Sequence, residues 1–328
     1  MSLTAVVPVW NGREHLRTLF RSLQAQSRPA SELLVVDNGS TDGADLLARE
    51  CGARVIPMGR NAGFAAAVNR GIRESRGEWI AILNSDVELA PDYFERLLSA
   101  AAPFATGKIL SARRKDRIDA TFDTLCRGAV SWRTGHMRPD GPAFSAARAI
   151  YSPPWTAVLF RAEVFGRVGL LNEDFESYLE DVDFGIRCAG AGISGLYVPE
   201  AIAWHQGSAA LGSWHPETVR RMARNQCYLV ARHYPRPLLV RNAWAILAAQ
   251  LLWGGLAARH GCGWAWLRGK LQGLRRALRL RRISAPLSPA VLQPLLAADE
   301  RLICSLQRQT GFDWYWRLYF LVTRSETK

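Results

Sequence analysis

The 328-residue sequence lacks the short motifs that mark several common classes of enzyme. No GxGxxG follows an apolar run and no GxxxxGK[ST] occurs, which argues against a dinucleotide-dependent oxidoreductase and against a P-loop nucleotidase. The six cysteines form no CxxC pair, which argues against a zinc ribbon and a disulfide framework. These absences suit a reduced cytoplasm, and any nucleotide site must have a different design.

Targeting and membrane-spanning segments are also scarce. The N-terminus has no basic region, no long apolar segment and no small-residue cleavage site, so we expect a cytoplasmic protein without a signal peptide. Residues 242–258 form an uncharged run of 17 residues, whereas a spanning helix needs about 20. Because this run contains Gln250 and two adjacent glycines, we interpret it as a helix lying in the membrane interface. A spanning helix and a packed core helix are the alternatives.

Acidic residues are rare near the C-terminus. Residues 236–328 contain 15 Lys and Arg but 4 Asp and Glu, so they carry +11 of the net +13, and residues 1–235 carry +2. Six of the 12 tryptophans also lie in this basic region, a combination that favours an anionic membrane surface over nucleic acid. We therefore predict two domains, a ligand-binding domain at 1–235 and a helical membrane-associating region at 236–328. The alternative for the second is a helical subdomain with buried Trp and solvated Arg.

Particular side chains of the basic region are expected at the lipid surface. Tryptophans suit the headgroup level, and those predicted to lie there are Trp244, Trp253, Trp264 and Trp266. An adjacent basic cluster is expected to face an anionic leaflet, and it comprises Arg268, Lys270, Arg275, Arg276, Arg279, Arg281 and Arg282. The aromatic run Phe312–Val322 is either a second membrane-facing element or packed core.

Short apolar runs alternate with helical faces over the first hundred residues. Strands are predicted at Thr4–Val9, Leu33–Val36, Arg54–Pro57 and Trp79–Leu83. Helices are predicted around Leu16–Leu23, Ala44–Glu50, Phe64–Ile72 and Pro91–Ala101. This alternation predicts an α/β fold, with a mostly parallel open sheet and helices on both of its faces.

The pattern is weaker further along the chain. Residues 113–150 lack periodicity and contain several Arg, Gly and Pro, so a loop-rich insert is predicted there. Trp155–Phe160 is a further apolar run, and Leu196–Val198 is a short strand that precedes His205. Between them, an acidic turn at Tyr178–Phe184 continues as a helix to Cys188.

Polar turns follow three of the predicted strands, at Asp37–Asp42, Arg60–Gly63 and Asn84–Asp86. The carboxyl ends of parallel strands meet at one edge of a sheet, which is where such sheets bind ligands. A carboxylate there can hold a divalent cation that also contacts a diphosphate, because Mg²⁺ commonly uses only one or two protein carboxylates. The alternative for Asp86 is a cap of the following turn.

Two other acidic and basic groups are candidates for chemistry. Glu180, Asp181 and Asp183 lie within four residues, and such carboxylates repel one another unless a cation, a substrate or a helix N-terminus compensates. A carboxylate fixed at a helix start is also a well-oriented general base. His205 lies in an apolar context typical of a structural histidine, but it becomes a metal-ligand candidate if it lies near Asp86.

Six segments together carry a resemblance to a known family. They are VVPVWNG (6–12), LLVVDNGSTDG (33–43), RNAGFAAAVNRGI (60–72), GEWIAILNSDVEL (77–89), LNEDFESYLEDVDFGIRCAGAG (171–192) and YVPEAIAWHQGS (197–208). In this order, from about Thr4 to Tyr234, they resemble the inverting, nucleotide-sugar-dependent glycosyltransferases of family 2, which have the type A glycosyltransferase fold. The bacterial rhamnosyltransferase-type branch is the most similar.

The resemblance implies a metal-dependent, inverting transfer of a sugar, with rhamnose as a candidate. The donor would be a nucleoside-diphosphate sugar, the acceptor a lipid-linked or growing cell-surface glycan, and the cofactor Mg²⁺ or Mn²⁺. Residues implied in nucleotide-sugar binding are Pro8, Val9, Asp37, Arg60, Asn61, Gly63, Asn69, Asn84, Ser85 and Asp86. Asp86 and His205 are implied as metal ligands, and Asp181 as the general base with Glu180 beside it.

The sequence departs from the family pattern at two places. Asn84 occupies the first position of the Asp-x-Asp motif, and Trp155-Thr156-Ala157 stands where the family often has Gly-Ala. A catalytically weak or inactive sugar-nucleotide-binding scaffold and a processive polysaccharide synthase are the alternative functions. Gln307–Gly311 does not match the Gln-x-x-Arg-Trp motif of those synthases. We expect a peripheral enzyme at the inner face of the cell membrane that binds no nucleic acid.

Overall fold

The computed structural model describes residues 1–207 and 214–324. Its strands are β1 (Leu3–Val9), β2 (Glu32–Asp37), β3 (Arg54–Pro57), β4 (Trp79–Leu83), β5 (Val87–Leu89), β6 (Phe104–Ser111), β7 (Ile118–Ala120), β8 (Asp123–Leu125), β9 (Ser131–Arg133), β10 (Arg148–Ile150), β11 (Ala157–Arg161) and β12 (Gly195–His205). Its α-helices are α1 (Arg13–Gln24), α2 (Ala44–Glu50), α3 (Phe64–Glu74), α4 (Tyr93–Ser99), α5 (Glu163–Val168), α6 (Glu180–Gly190), α7 (Pro216–His233), α8 (Arg236–Arg241), α9 (Ala243–Arg259), α10 (Gly263–Ile283), α11 (Pro289–Thr310) and α12 (Trp314–Thr323).

The chain divides into two compact units. Unit 1 comprises residues 1–122 and 135–209, and unit 2 comprises residues 123–134 and 210–328. Unit 2 therefore contains a short segment from the middle of the sequence. The basic region predicted at 236–328 falls inside unit 2.

Unit 1 is built on a mixed sheet that is mostly parallel. Its strands are ordered β10-β12-β6-β11-β4-β1-β2-β3, with β5 paired to β12 and β7 paired to β6. β3, β2, β1 and β4 run parallel, and β11 is antiparallel to both β4 and β6. β12 runs parallel to β6. The carboxyl ends of β1, β2, β3, β4, β6 and β12 therefore share one edge with the start of β11.

Helices cover the central strands closely on both faces. Every residue of β1 is buried, as expected for a parallel strand between two helical layers. α1 buries Leu16, Leu19 and Leu23 against the sheet. On the other side, a Cβ atom at Gly71 of α3 would lie 2.2 Å from a methyl carbon of Val6. This close packing fixes where the turns after the strands project.

The predictions for the first hundred residues are largely confirmed. β3, β4 and α2 have the predicted bounds, and β1 and β2 differ from them by no more than one residue at either end. α4 begins at Tyr93, two residues after Pro91. β5 and β6 were not predicted, since β5 has three residues and Gly107 and Lys108 interrupt the apolar pattern of β6.

Two predictions further along the chain are incomplete. Residues 113–150 are loop-rich as expected, but they also contain β7, β8, β9 and β10, each of three residues and so too short for a readable period. β12 has 11 residues, whereas a strand at Leu196–Val198 was expected. Its register shifts between Val198 and Ile202, which splits one long strand into two short patterns.

In unit 2, the hairpin of β8 and β9 packs among helices from the C-terminal end of the chain. The backbone NH of Leu125 donates to Asp299 at 2.8 Å, and the side chain of Gln250 donates to the carbonyl of Gly128 at 2.9 Å. A Cβ atom at Gly128 would lie 2.3 Å from the Cβ of Ala249. The hairpin is therefore an integral part of this helical unit.

The helices of unit 2 pack closely through small residues. Gly269 and Gly273 of α10 face α7, and a Cβ atom at Gly269 would lie 2.3 Å from the carbonyl oxygen of Arg220. Trp253 is buried, and Trp266 lies against Gly254. The expectations that Trp253 lies at lipid headgroups and that Lys270 faces an anionic leaflet are therefore wrong, because both side chains are buried.

Two segments were predicted to be either membrane-facing or packed core, the uncharged run 242–258 and the aromatic run Phe312–Val322. Each is divided between core and surface. α9, which covers the uncharged run, buries Ala245, Ala248 and Trp253 and exposes other side chains. α12 buries Tyr315, Trp316 and Tyr319. In the described part of the chain, no helix combines the length and the apolar character needed to cross a membrane.

Candidate active site

Three polar loops meet where β1, β2 and β4 end. The backbone NH of Asn11 donates to the hydroxyl of Ser40 at 3.0 Å, and the NH of Thr41 donates to the side-chain oxygen of Asn11 at 2.8 Å. Gly12 lies against the loop after β4, since a Cβ atom there would lie 2.9 Å from the hydroxyl oxygen of Ser85. Because β2, β3 and β4 all run parallel to β1, the prediction that the turns at Asp37–Asp42, Arg60–Gly63 and Asn84–Asp86 open on one edge is confirmed.

Asp37 is the last residue of β2 and is buried. Its carboxylate accepts a hydrogen bond from the NH of Ser40 at 2.9 Å, and Val9 pairs with it in register. Gly39 has a φ of +83°, and a Cβ atom there would lie 2.7 Å from the backbone of Arg60. The loop after β2 therefore packs tightly on the loop after β3, and glycine is required at the contact. Pro8 is buried inside β1, one residue before this edge.

Asn38, which the sequence analysis did not single out, holds the loop after β3 in place. Its amide nitrogen donates to the side chain of Asn61 at 3.1 Å and to the carbonyl of Gly63 at 3.2 Å. Its amide oxygen accepts from the NH of Ala62 at 2.9 Å. Asn38 thus orients two of the predicted nucleotide-binding residues.

Asn69 makes contacts that differ from those expected. It is buried on α3, its amide nitrogen donates to the carbonyl of Leu171 and to Glu173, and its oxygen accepts from the NH of Leu171, each at 2.9 Å. Because these three bonds occupy the amide, we expect Asn69 to position the segment before α6 rather than to touch a nucleotide.

His205, at the end of β12, lies between two carboxylates. Its Nε2 is 3.1 Å from Asp86 and its Nδ1 is 2.9 Å from Asp119. The side chains of all three are nearly buried. Burial opposes a charged ring, but the hydrogen bonds to Asp119 and Asp86 outweigh it and raise the pKa of His205 to about 9. The side-chain nitrogen of Asn84 also lies 3.4 Å from Nε2.

The donor set of Asp86 and His205 fits a divalent cation that takes the place of the proton between Nε2 and Asp86. Two neighbouring ligands of an octahedral ion, each about 2.1 Å from it, are about 3.0 Å apart, and the separation of the two donor atoms here is 3.1 Å. Asp119 would hold the opposite ring nitrogen, an arrangement that commonly orients metal-binding histidines. Within residues 1–207 and 214–324, no group of three or more His, Cys, Asp or Glu is arranged to hold a metal. Mg²⁺ commonly completes such a small protein ligand set with phosphate oxygens and water.

The acidic turn is held in an unusual backbone conformation. Glu176, Tyr178 and Leu179 have φ values of 60°, 73° and 67°, a region that residues other than glycine rarely adopt. Such local strain is concentrated at functional sites. The turn leads directly into α6, whose first turn contains Glu180 and Asp181, both buried.

The repulsion expected among the three carboxylates is resolved locally. Asp183 is fully buried and pairs with Arg187 at 3.0 Å, one helical turn later. Arg187 also donates to the carbonyls of Val168 and Leu170. Asp183 is thus a structural residue, whereas Glu180 and Asp181 lie at the helix N-terminus, where the macrodipole favours negative charge.

Residues 152–156 make hydrogen bonds both to the start of α6 and to the residue that follows β4. The hydroxyl of Ser152 donates to the carbonyl of Asp181 at 3.3 Å, and the carbonyl of Thr156 accepts from the NH of Asn84 at 2.8 Å. Four residues of chain limit the separation of Ser152 and Thr156 to about 14 Å. The start of α6 therefore lies near the edge that carries Asp86.

Asp119 is the most informative residue that the sequence analysis missed. It lies on β7 within the segment expected to be loop-rich. Apolar and polar residues alternate in Ile118-Asp119-Ala120-Thr121-Phe122, but the strand has only three residues, and so short a run does not by itself indicate a strand. An acidic residue in such a strand is a candidate partner for a buried base.

Comparison with known proteins agrees with this architecture. The profile of the family described as "Glycosyl transferase family 2" matches residues 4–165. An N-acetylglucosaminyl-diphospho-decaprenol L-rhamnosyltransferase of Mycobacterium tuberculosis is 32% identical over 243 residues, which cover 64% of this chain and 79% of the relative.

Solved structures show the same fold at low sequence identity. GalNAc-T7 with UDP, GalNAc and Mn²⁺ matches with a TM-score of 0.62 and 14% identity, over 91% of this chain and 57% of the other. The mannosyltransferase PcManGT of Pyrobaculum calidifontis, in complex with GDP-Man and Mn²⁺, matches with a TM-score of 0.52 and 15% identity, over 99% and 88%. The chain belongs to glycosyltransferase family 2 and is a glycosyltransferase.

Proposed function

We propose that this enzyme transfers a sugar, with L-rhamnose the first candidate, from a nucleoside-diphosphate donor to a lipid-linked glycan acceptor, with inversion and with the help of Mg²⁺ or Mn²⁺. The observation that carries the proposal is the contact of Asp86 and His205 at the carboxyl edge of the sheet. The name of the mycobacterial relative supports the sugar and the acceptor class, because it specifies L-rhamnose and a diphospho-decaprenol acceptor.

In this proposal the donor lies along the loops that follow β1 to β4. Asp37 and Arg60 contact the nucleoside, and Asn38 keeps the loop of Asn61 and Gly63 in the required position. Asp86 and His205 would hold the divalent cation, which would supply positive charge to neutralise the leaving diphosphate.

The acceptor hydroxyl attacks the anomeric carbon from the side opposite the diphosphate. A new bond forms between the acceptor oxygen and that carbon, and the bond to the diphosphate oxygen breaks, with its electron pair leaving on the diphosphate. Asp181 accepts the proton of the hydroxyl, assisted by its fixed position at the start of α6. Attack from the opposite face inverts the anomeric centre, as in inverting glycosidases.

A lipid-linked acceptor places the reaction at a membrane surface. We propose that the enzyme works at the inner face of the cell membrane, attached peripherally. The concentration of basic residues in residues 236–328 supports this location, since the lipids of that leaflet are anionic.

A thermal-shift screen of nucleotide sugars with and without divalent cation tests the donor site. We expect one nucleotide-sugar class to raise the Tm when Mn²⁺ or Mg²⁺ is present and to have little effect when a chelator replaces it. Stabilisation that is equal in the chelator, or absent for every donor, would contradict the metal site.

The identified donor is then incubated with a polyprenyl-diphospho-N-acetylglucosamine acceptor. NMR of the product is expected to show the anomeric configuration opposite to that of the donor. A product with the donor's configuration would rule out the single displacement, and transfer to other acceptors alone would redirect the acceptor assignment.

A further inference from the structure

Outward-facing apolar side chains line one side of α9 in unit 2. Trp244, Leu247 and Leu251 are 59%, 51% and 57% exposed. Their spacing of three and four residues places them on one side of the helix. The opposite side of α9 is buried, so this stripe is additional to the core rather than part of it.

α10 carries a longer stripe of the same kind. Its exposed apolar residues are Trp264, Leu267, Leu271, Leu274 and Leu278. At about 100° per residue these five side chains occupy an arc of about 80°. The arc of about 60° beside it contains the exposed basic residues Arg268, Arg275, Arg279 and Arg282. The helix therefore presents an apolar strip with a basic border.

The stripes lie beside one another within unit 2. α9 and α10 are joined by a hydrogen bond between Gln250 and Lys270. Leu271, the middle residue of the α10 stripe, directly follows Lys270, and Leu251 of the α9 stripe directly follows Gln250, so both stripes pass beside this contact. On the other flank, the indole NH of Trp244 donates to the carbonyl of Val322 on α12 at 2.9 Å.

α12 extends this surface with its own exposed apolar residues. They are Trp314, Leu318, Leu321 and Val322. We name the exposed apolar side chains of α9, α10 and α12 the apolar face. Large exposed apolar patches on folded proteins mark sites that bind a partner or a membrane.

We propose that the apolar face docks on an anionic phospholipid surface. Charge complementarity selects this occupant, because residues 236–282 contain ten Lys and Arg and no Asp or Glu. An amphipathic helix with a basic polar side lies in the plane of the interface and inserts only its apolar side. The exposed Trp244 and Trp264 are suited to the headgroup level. The inference rests on the proposed function in one respect, because the lipid-linked acceptor of that function requires a membrane.

Co-sedimentation of the full chain with phospholipid vesicles tests the docking. Vesicles of phosphatidylcholine with phosphatidylglycerol are compared with vesicles of phosphatidylcholine alone. We expect the wild-type protein to sediment with the anionic vesicles and to remain largely in the supernatant with the neutral ones. Equal sedimentation with both, or with neither, would overturn the proposal.

Leu271→Gln/Leu274→Gln/Leu278→Gln changes only exposed side chains of α10. It is expected to increase the lipid concentration needed for half-maximal sedimentation at least tenfold, because three apolar side chains are removed from the lipid contact. The matched control is Leu46→Gln, which alters a 62% exposed leucine of unit 1 and is compared with Leu278→Gln alone. Unchanged sedimentation of the triple variant, with an unchanged Tm, would overturn the proposal.

Arg275→Gln/Arg279→Gln/Arg282→Gln tests the basic border. We expect a loss of binding to anionic vesicles that is larger at low salt than at high salt. Arg17→Gln/Arg28→Gln/Arg49→Gln lowers the net charge equally through exposed residues of unit 1 and is expected to bind like the wild type. If both triple variants lose binding equally, net charge rather than this face causes it, and the proposal fails.

Two further measurements separate the possible failures. Size-exclusion chromatography with light scattering identifies self-association, and a wild-type dimer that the leucine variant dissociates, without vesicle binding, would assign the face to a second copy. Donor-induced thermal stabilisation is measured without lipid, so loss of that signal reports on the proposed function and leaves the docking result unaffected.

Discussion

Each unit of this protein buries a basic side chain, and the pKa values of the two side chains are shifted in opposite directions. In unit 1, His205 lies between Asp86 and Asp119, and these carboxylates raise its pKa to about 9 in spite of its burial. In unit 2, Lys270 is held by the amide oxygens of Gln226 and Gln250, and burial lowers its pKa to about 8. The first environment compensates charge, whereas the second only solvates it partially.

The two units also differ in the side chains that they expose. Among the residues that the structure describes, unit 2 exposes sixteen large apolar side chains, whereas the larger unit 1 exposes five. Unit 1 concentrates hydrogen-bonded polar groups at one sheet edge, and unit 2 concentrates apolar and basic groups on helices. We infer that the two units have different roles, with ligand chemistry in unit 1 and attachment to a surface in unit 2.

Among the changes that test this comparison, Asp181→Asn has the largest expected effect, which is a loss of turnover. The asparagine keeps the size of the side chain and an oxygen that can accept from the NH of Val182, but it cannot take a proton. Turnover is expected to fall roughly 10²- to 10⁴-fold, with donor-induced stabilisation and vesicle binding near wild-type levels. Single-turnover kinetics and the thermal-shift assay measure these quantities.

Glu180→Gln is the matched control, since Glu180 is the neighbouring buried carboxylate of the same helical turn. A loss of turnover in this variant that exceeds the loss in Asp181→Asn would transfer the role of general base to Glu180. A loss of vesicle binding in either variant would contradict the division between the units.

Lys270→Met sharpens the contrast between the buried bases. Because the pKa of Lys270 is lowered from 10.5 to about 8, the unfolded chain binds more protons than the folded protein between these pH values. The unfolding free energy of the wild type should therefore rise with pH across this window, by up to about 3 kcal/mol.

The methionine variant should lack this part of the pH dependence while keeping normal turnover. Denaturant unfolding at several pH values between 7.5 and 10.5 measures the difference, with the exposed Lys115→Met of unit 1 as the control. Parallel curves for Lys270→Met and the wild type would show that the lysine is charged equally in both states.

Sequence patterns predicted the fold best where single strands are long and continuously apolar. β1 and β4 are such strands, and each is buried along its whole length. β7 to β10 have three residues each, so their pairing depends on partners far away in sequence that no local period reveals. The stripe on α10 shares its helix with a buried face, and only the packing of α7 and α9 distinguishes the two.

Asp119→Asn tests whether the partner of His205 positions it for metal. Loss of the negative charge at Nδ1 is expected to weaken Mn²⁺ binding 10- to 100-fold, the effect usual for such outer partners. Electron paramagnetic resonance of free Mn²⁺ measures this affinity without reference to activity. Asp116→Asn, three residues earlier and with a 73% exposed side chain, is the control.

An unchanged Mn²⁺ affinity in Asp119→Asn would leave Asp119 with a purely structural role. The vesicle binding of unit 2 is expected to be the same in both variants, which keeps the comparison between the units independent of the metal.

The candidate site was predicted from the sequence in its strand-end residues but not in its supporting residues. Asp86, His205 and Asn38 belong to motifs, but the supporting roles of Asn38 and Asp119 depend on contacts with residues 23 to 86 positions away. Asn69 shows the converse, because a motif position turned out to be buried with its amide occupied by Leu171 and Glu173. Spacing locates a strand end, but only the packed structure shows which polar atoms remain available to a ligand.

Asn84→Asp is the change with the smallest expected effect, and it acts on the one departure from the family's acidic motif. In the wild type the amide nitrogen of Asn84 lies 3.4 Å from Nε2 of His205, beside the carboxylate of Asp86. An aspartate would add negative charge next to Asp86, which repels it in the metal-free protein and attracts a cation in the bound one. We therefore expect a slightly lower Tm without metal and Mn²⁺ affinity higher by roughly two- to fivefold, since ligand charge tunes the affinity of such sites. Equal or weaker Mn²⁺ binding would mean that residue 84 does not face the cation. The protein ligands of the metal would then be Asp86 and His205 alone.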